Sequence, residues 1–399
     1  MSENKAESQA YLTEQLITYL GNKRALLPFI GQGISIVQSE LGRKKLSCLD
    51  LFSGSGIVAR YLKQFASYIA VNDLENYSCI INRCYLADKS EVPAARLAQI
   101  HDGLTQKLES ELARLQGMRA AGNHPVPGFI TRLYSPADEN NIQKNDRCFY
   151  TTRNANYLDL ARQLIDSEVP EDVRHFFIAP LLSEASIHAN TSGVFKGFYK
   201  NSKTGIGQFG GNGKNALSRI LGDIELKLPV FSEFECPSRV FNMNANELVT
   251  LPELYEAGAS GNFDGTFDLA YFDPPYNQHP YGSNYFMLNL VASYKEPDTD
   301  CISRVSGIPS GWNRSSYNKK RQVAQAFLEL VKNVRARYVL ISFNSEGFIG
   351  RDEMIELMNQ CGSVRVLESD YNTFRGSRNL KARDIHVKEY LFLIKKNIC

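Results

Sequence analysis

The sequence predicts a doubly wound α/β sheet with a long, mainly helical insert, and three stretches carry that prediction. Residues 267–272 (FDLAYF) are an apolar run of strand length, suited to the buried centre of a parallel sheet, and Asp273-Pro274-Pro275-Tyr276 ends it. Residues 46–52 show the same buried-strand pattern, closed by the tight turn Ser53-Gly54-Ser55-Gly56 and followed by a helical stretch over 57–65. From about Lys89 to Glu235 this alternation gives way to helical patterns, and strands resume at Arg239.

The chain has 399 residues, comfortable for two domains. Its 43% hydrophobic and 22% charged residues suit a soluble globular protein. No apolar run has membrane-spanning length and the amino terminus is polar, unlike a signal peptide, so a cytoplasmic location is expected. The cysteines, at 48, 79, 84, 148, 236, 301, 361 and 399, form no CxxC pair and no metal-like spacing with histidine. They read as reduced thiols, with no metal site expected. A net charge of +2 leaves nucleic acid open as a partner, provided that the basic surface is local.

In chain order, residues 19–30 (YLGNKRALLPFI) read as a turn at 21–24 followed by an amphipathic packing helix. The strand, glycine turn and helix of 45–65 bring backbone N–H groups and a helix start close to a ligand. Position 59 is alanine and no Lys-Ser/Thr follows the turn, so a phosphate-binding P-loop is excluded. A second strand at 67–71 ends in Asn72-Asp73, and an acid there, about 20 residues past the glycine turn, is placed to bond ribose hydroxyls. Its other reading is a cap for a helix over 75–86.

Within the insert, helices are expected over 93–118, 154–167 and 171–189. Residues 190–215 mix glycine with Phe195, Phe198, Tyr199 and Phe209 and with Lys196, Lys200, Lys203 and Lys214. Composition alone suggests a flexible linker; the interleaved aromatic and basic residues favour a nucleic-acid surface. Beyond it come strands at 239–243, 267–272, 337–343, 364–371 and 388–394, with helices expected at 284–294, 318–336 and 352–361. The loop 296–317 holds Trp312 beside Arg314. The loop 373–383, with Arg375, Arg378, Lys381 and Arg383, reads equally as a solvated hairpin tip or a phosphate-contacting arm.

The turn at 273–276 carries the chemistry. Each proline fixes its own φ and holds the residue before it extended, so Asp273 and Pro274 aim one carboxylate and one carbonyl beyond the carboxyl end of the strand. Ligands of open α/β sheets bind there. Two acceptors beside the Tyr276 ring suit a planar heterocyclic amine: each accepts one N–H, the nitrogen is drawn towards tetrahedral geometry, and its lone pair is freed to attack.

The order YLGNKRALLPFI, LDLFSGSG, Asn72-Asp73, long insert, FDLAYFDPPYN, with the ending EYLFLI after a basic loop, resembles the S-adenosylmethionine-dependent DNA adenine-N6 methyltransferases in their alpha arrangement. The resemblance covers roughly 15–88 and 237–396, and the insert matches only loosely around 193–213. It implies a Rossmann-like methyltransferase sheet with an antiparallel last strand, a catalytic domain made of 1–88 and 237–399, and an inserted target-recognition domain over 89–236. It further implies that Lys23 contacts the methionine part of the cofactor, that Asp50, Phe52, Gly54 and Gly56 shape its pocket, and that Asp73 binds its ribose. Asp273, Pro274, Pro275 and Tyr276 would hold a flipped adenine. Where the family usually carries an acid near the cofactor adenine, this sequence has Asn244 and Asn246, and Asn244 is assigned there through its amide oxygen. Double-stranded DNA is the implied substrate, met by Lys196, Lys200, Lys203, Lys214, Arg314, Arg375 and Arg378. A bacterial or phage restriction-modification setting follows from the resemblance alone, and whether a cognate endonuclease accompanies it is left open by the sequence. Two other functions stand beside this one: an RNA base-amine methyltransferase, and a non-catalytic DNA-binding protein on a methyltransferase scaffold.

Overall fold

The computed structural model describes residues 6–123, 125–256, 263–276, 278–372 and 386–397. Seven strands form one sheet: β1 (Leu46–Asp50), β2 (Ala66–Asn72), β3 (Ser238–Phe241), β4 (Phe267–Phe272), β5 (Ala336–Asn344), β6 (Gly362–Asn372) and β7 (His386–Lys396). Their order is β3-β2-β1-β4-β5-β7-β6. The first five pair in parallel, while β7 runs antiparallel to both β5 and β6. This is the doubly wound, mostly parallel sheet expected from the sequence, with β7 reversed.

The strand order changes direction between β1 and β4, so the turns leaving these two strands open onto one crevice. Every residue of both strands is buried, as their continuous apolar runs require. Along β4 the side chains of Phe267, Ala270 and Phe272 join one apolar cluster, and Leu269 and Tyr271 join another. Helices therefore cover both faces.

After a short α1 (Gln9–Thr13), α2 (Leu27–Leu41) and α3 (Ile57–Lys63) pack on the Leu269 side, and α4 (Asn76–Tyr85) follows β2. The segment between β2 and β3 then holds α5 (Ala94–Ala120), α6 (Phe129–Tyr134), α7 (Thr152–Glu168), α8 (His175–Ile187) and α9 (Leu217–Leu221). After β3 come α10 (Ala245–Leu248), α11 (Tyr281–Asn284), α12 (Phe286–Ser293), α13 (Val323–Asn333) and α14 (Arg351–Met358). Of these, α10, α13 and α14 cover the Phe267 side.

Several expected helices are shorter than their patterns, and in two the structure shows why. The run 284–294 is broken at Tyr285, whose φ of −124° separates α11 from α12. The helix expected from 318 begins at Val323, because residues 316–318 form a tight 3-10 turn capped by Ser315. Burial explains the first break: the Tyr285 ring is fully buried and stacks on Tyr19 at 4.8 Å.

The helical segment between β2 and β3 leaves and returns at one place. Lys89 pairs with Glu233 at 3.0 Å, the Ser90 N–H donates to Glu235, and the Cys236 N–H donates to Asp88. Its α5 presents Leu97, Leu104, Leu108, Leu112 and Leu115 on one stripe. That stripe joins a cluster that also takes in Tyr77, Ile81 and Tyr85 of α4 and Phe286, Leu288 and Val291 of α12. The segment thus shares its core with elements on either side of it. Among the described residues, no helix is long and apolar enough to cross a membrane, and the described cysteines are free thiols.

Candidate active site

The turn after β1 and the turn after β4 line a single cleft. Lys23, Asp50, Phe52, Gly54, Asp73, Asn244, Asp273 and Pro275 all face it. Gly56, Pro274 and Tyr276 are not among its lining residues. Gly56 instead starts α3 with φ +77°, a left-handed conformation that favours glycine.

Gly54 also has a positive φ, +51°, and a Cβ built there would meet the Tyr19 ring at 2.8 Å. Its N–H donates to Asp73 Oδ2 at 2.8 Å, and Asp73 Oδ1 accepts from the Glu75 N–H at 2.8 Å. Helix α4 begins one residue after Glu75, so Asp73 braces the turn before the helix rather than occupying the cap position itself. Burial lifts the Asp73 carboxyl to about 6 and Glu75 to about 7, against the backbone N–H bonds to Asp73 and the Asn289 bond to Glu75. Asp50 is fully buried; one oxygen accepts from the Phe52 N–H, and the other, Oδ2, has no hydrogen-bond partner. Burial holds it well above the usual carboxylate range, and nearby Asp273 and Asp73 add to this.

Lys23 enters from the turn before α2 and is 3% exposed. Its ammonium lies 3.3 Å from Asp273 Oδ1 and 3.6 Å from Glu389 Oε2. Burial opposes the charge, but the two carboxylates, with Tyr276 and Tyr271, keep the lysine pKa well above its ordinary value. Burial raises the Asp273 carboxyl to about 6, with Lys23 pulling it down and Glu389 pushing it up. The Tyr276 ring packs edge-on against Phe343 at 5.6 Å, and its carbonyl accepts from the Phe348 N–H. Gly21, at φ +71°, lets the chain pass the Tyr276 hydroxyl, which a Cβ there would meet at 3.0 Å.

Asn244 faces the cleft while its Oδ1 caps α10 by accepting from the Asn246 N–H at 2.9 Å. The neighbouring Asn246 donates instead to the Ala326 carbonyl and accepts from the Tyr317 hydroxyl.

Among the other expected residues, Lys196, Lys200, Lys203 and Lys214 are exposed, as is Arg314. Lys196 lies 2.9 Å from His279 Nδ1, just past the active-site turn, so the glycine-rich loop stands beside that turn. Two aromatic residues of the loop face inward: Phe195 is buried and Phe198, with Lys200 over its ring, packs on Phe149 at 5.1 Å. Arg314 sits 4.4 Å above the Trp312 ring. Arg375 and Arg378 lie outside the described residues.

Sequence reasoning missed several residues of the site. Tyr19, Tyr281 and Tyr285 stack on one another, and the first two line the cleft. The hydroxyl of Tyr285 accepts from the Leu20 N–H and that of Tyr281 donates to the Leu20 carbonyl, which anchors the segment that delivers Lys23. The four-residue spacing of 281 and 285 was a usable signal. Glu75, Asn313 and Tyr317 also line the cleft, and nothing in their local patterns marked them.

A doubly wound sheet with a reversed seventh strand, whose glycine turn and Asp-Pro-Pro-Tyr turn share one cleft, defines a methyltransferase acting on an amine. The family model of D12 class N6 adenine-specific DNA methyltransferases matches residues 19–209 and 261–353, more than half of the chain, and the protein belongs to that family. It is 29% identical to the type II methyltransferase M.CviAII of Paramecium bursaria Chlorella virus 1, over 95% of this chain and 98% of that protein. It is 28% identical to the type II methyltransferase M.NlaIII of Neisseria lactamica, over 95% and 99%. With the type II methyltransferase M.FokI of Planomicrobium okeanokoites it shares 24% identity over 95% of this chain and 53% of that protein. The chain is thus an adenine-N6 DNA methyltransferase, which decides against the RNA and the non-catalytic readings.

Proposed function

We propose that the cleft binds S-adenosylmethionine and that Asp273 and Pro274 present to it the N6 amine of an adenine flipped out of duplex DNA. The observation that carries this reading is that Gly54, Asp73 and Asp273 border one cavity. The residues suit the cofactor. Asp73, Glu75 and Asp273 face the cleft with one lysine, which favours a cationic ligand, and the buried Asp50 Oδ2, which no protein group bonds, is left for a polar group of the cofactor. Gly54 leaves open the space beside the Tyr19 ring that a side chain would fill. Asp73 takes the ribose, Phe52 and Tyr317 wall the adenine end, and Lys23 stands at the reacting end. When bound, the cofactor supplies a methyl group already activated on a sulfonium.

The chain does the rest. The Asp273 carboxylate and the Pro274 carbonyl each accept a hydrogen bond from one N–H of the amine, so that the lone pair turns out of conjugation with the ring. These contacts strengthen as positive charge develops on nitrogen, and they therefore act mainly in the transition state. The Tyr276 ring, held by Phe343, offers a face for the extruded base.

Residues 89–236 serve in this reading as the target-recognition domain. Lys196, Lys200, Lys203 and Lys214, with Arg314, Arg375 and Arg378, contact phosphates. The type II relatives make a restriction-modification system, with a cognate endonuclease in a bacterial or phage-infected cytoplasm, the proposed setting. The test is incubation with S-adenosylmethionine and a plasmid library of random sequence, followed by mapping of N6-methyladenine. A recurrent methylated sequence is expected; DNA without N6-methyladenine would overturn the reading.

A further inference from the structure

Glu389 lies near the start of β7, and the reversed course of that strand brings its beginning to the carboxyl end of the parallel strands, where β4 delivers Asp273. It is paired in register with Asn344, the last residue of β5. Its Oε2 is 3.6 Å from Lys23 Nζ, and Asp273 Oδ1 is 3.3 Å from the same nitrogen. Both carboxylate oxygens and the ammonium are buried, and none makes a well-directed hydrogen bond. Two carboxylates thus share one cation away from water.

We propose that Glu389 is a positioning residue for methyl transfer: it holds Lys23 between two carboxylates, so that Asp273 keeps acceptor capacity for the adenine amine instead of closing into an exclusive ion pair. The proposal rests on the reading of Asp273 as the amine acceptor. An ammonium owned by Asp273 alone would occupy lone pairs that the amine needs and would draw charge from them. A second buried carboxylate competes for that ammonium, because leaving either charge unpaired there is costly.

The charges around Asp273 fit this role. Lys23 lowers its carboxyl pKa and Glu389 raises it, on top of burial. The other groups facing it are Tyr271 of β4, Asp50 at the end of β1, and Tyr276 and Tyr281 beyond β4. Burial lifts the pKa of all three phenols, which stay neutral in the working range, and pushes Asp50 well up. Burial sets most of the Asp273 shift, and Lys23 and Glu389 adjust it in opposite directions.

The test replaces Glu389 by its uncharged isostere, Glu389→Gln. The side-chain carboxyl of Asp273 is followed by carbon-13 NMR in aspartate-labelled protein without cofactor or DNA, and assigned by its loss in Asp273→Asn. The wild-type signal should titrate at about 6. In Glu389→Gln the midpoint should fall by about half a unit or more, since a raising charge is gone. The single-turnover rate should fall about tenfold, with DNA affinity within about threefold of wild type. A slower enzyme with an unmoved Asp273 midpoint would make Glu389 a packing residue and overturn the proposal, and so would an unmoved rate. Should the Gln variant not fold, Glu389→Asp withdraws the charge by one methylene and should give a smaller shift of the same sign; an unmoved midpoint there overturns it equally. A wild-type protein that left adenine unmethylated would instead strike at the functional reading, because the titration is read without either substrate.

Discussion

The Gly54 N–H donates to the Asp73 carboxylate at 2.8 Å, which ties the glycine turn after β1 to the end of β2. The same carboxylate holds the Glu75 N–H, so one side chain braces two walls of the cleft. Asp73→Ala should leave both donors without their partner, cost roughly 2 kcal/mol of stability and weaken S-adenosylmethionine binding more than about tenfold. Gly54→Val should be at least as damaging to binding, since valine resists φ +51° and its Cβ would meet Tyr19. Calorimetry on folded variants checks both, and unchanged affinity would remove these residues from the cofactor site.

Asp273→Ala should retain cofactor and DNA binding while methyl transfer drops by about three orders of magnitude or more. Lys23 keeps Glu389 as a counterion in that variant, so the fold should survive the change. A near-normal single-turnover rate would make Asp273 structural.

Glu75 gives a pH signature. Its folded pKa, about 7, lies above the usual glutamate value, so the folded protein binds the proton more tightly than the unfolded chain. The stability this contributes is full at low pH and is lost as pH rises through about 7, a swing of roughly 3 kcal/mol. Glu75→Gln should therefore flatten the stability profile of the cofactor-free protein between about pH 5 and 8. Binding of a cation should run the other way, tightening with rising pH as Glu75 and Asp73 release protons. Denaturant titrations of both proteins at two pH values decide the first point, where equal slopes would refute it; calorimetry in buffers of different ionisation enthalpy decides the second.

Lys200→Ala combined with Lys203→Ala should weaken DNA binding broadly and make the dependence of log affinity on log salt shallower by about 2, without altering the methylated sequence. Filter binding across salt, with methylation mapping, provides the check. A changed sequence specificity would mean that these lysines read bases.

The segment 89–236 should not fold when expressed alone. Its α8 packs against α4 and α12, and its apolar cluster is completed by Tyr77 and Ile81 of α4 and Phe286 of α12, which the excised piece lacks. A cooperative thermal transition with sharp near-ultraviolet dichroism would show that the segment has a core of its own. Replacing it by a relative's segment should likewise succeed only when the facing residues of α4 and α12 are exchanged with it.

The strands were legible because their information is local. Apolar runs such as FDLAYF and LSCLD, bounded by turn residues, specify buried strands wherever they stand, and all seven strands lie where such patterns run. The two ligand-facing turns were legible for the same reason: glycine and proline write their backbone demands into the chain itself. Helix ends were less so. Tyr285 interrupts an apolar run that is helical by pattern, because its ring is drawn into the stack with Tyr19 and Tyr281. The aromatic residues of 190–215 looked fit for a nucleic-acid surface, yet Phe195 and Phe198 serve the apolar core, since burial depends on which elements come to lie above them.

The chain alone determined that a glycine turn and an Asp-Pro-Pro-Tyr turn each end a buried strand. That they share one cleft was decided by strand order, which places β1 beside β4. Only the tertiary structure could join Lys23 to Glu389 across nearly the whole sequence, because that contact depends on β7 running backwards between β5 and β6. A sequence pattern records which residues avoid water; the direction of a strand, and so which of its ends reaches the site, is settled by what it packs against.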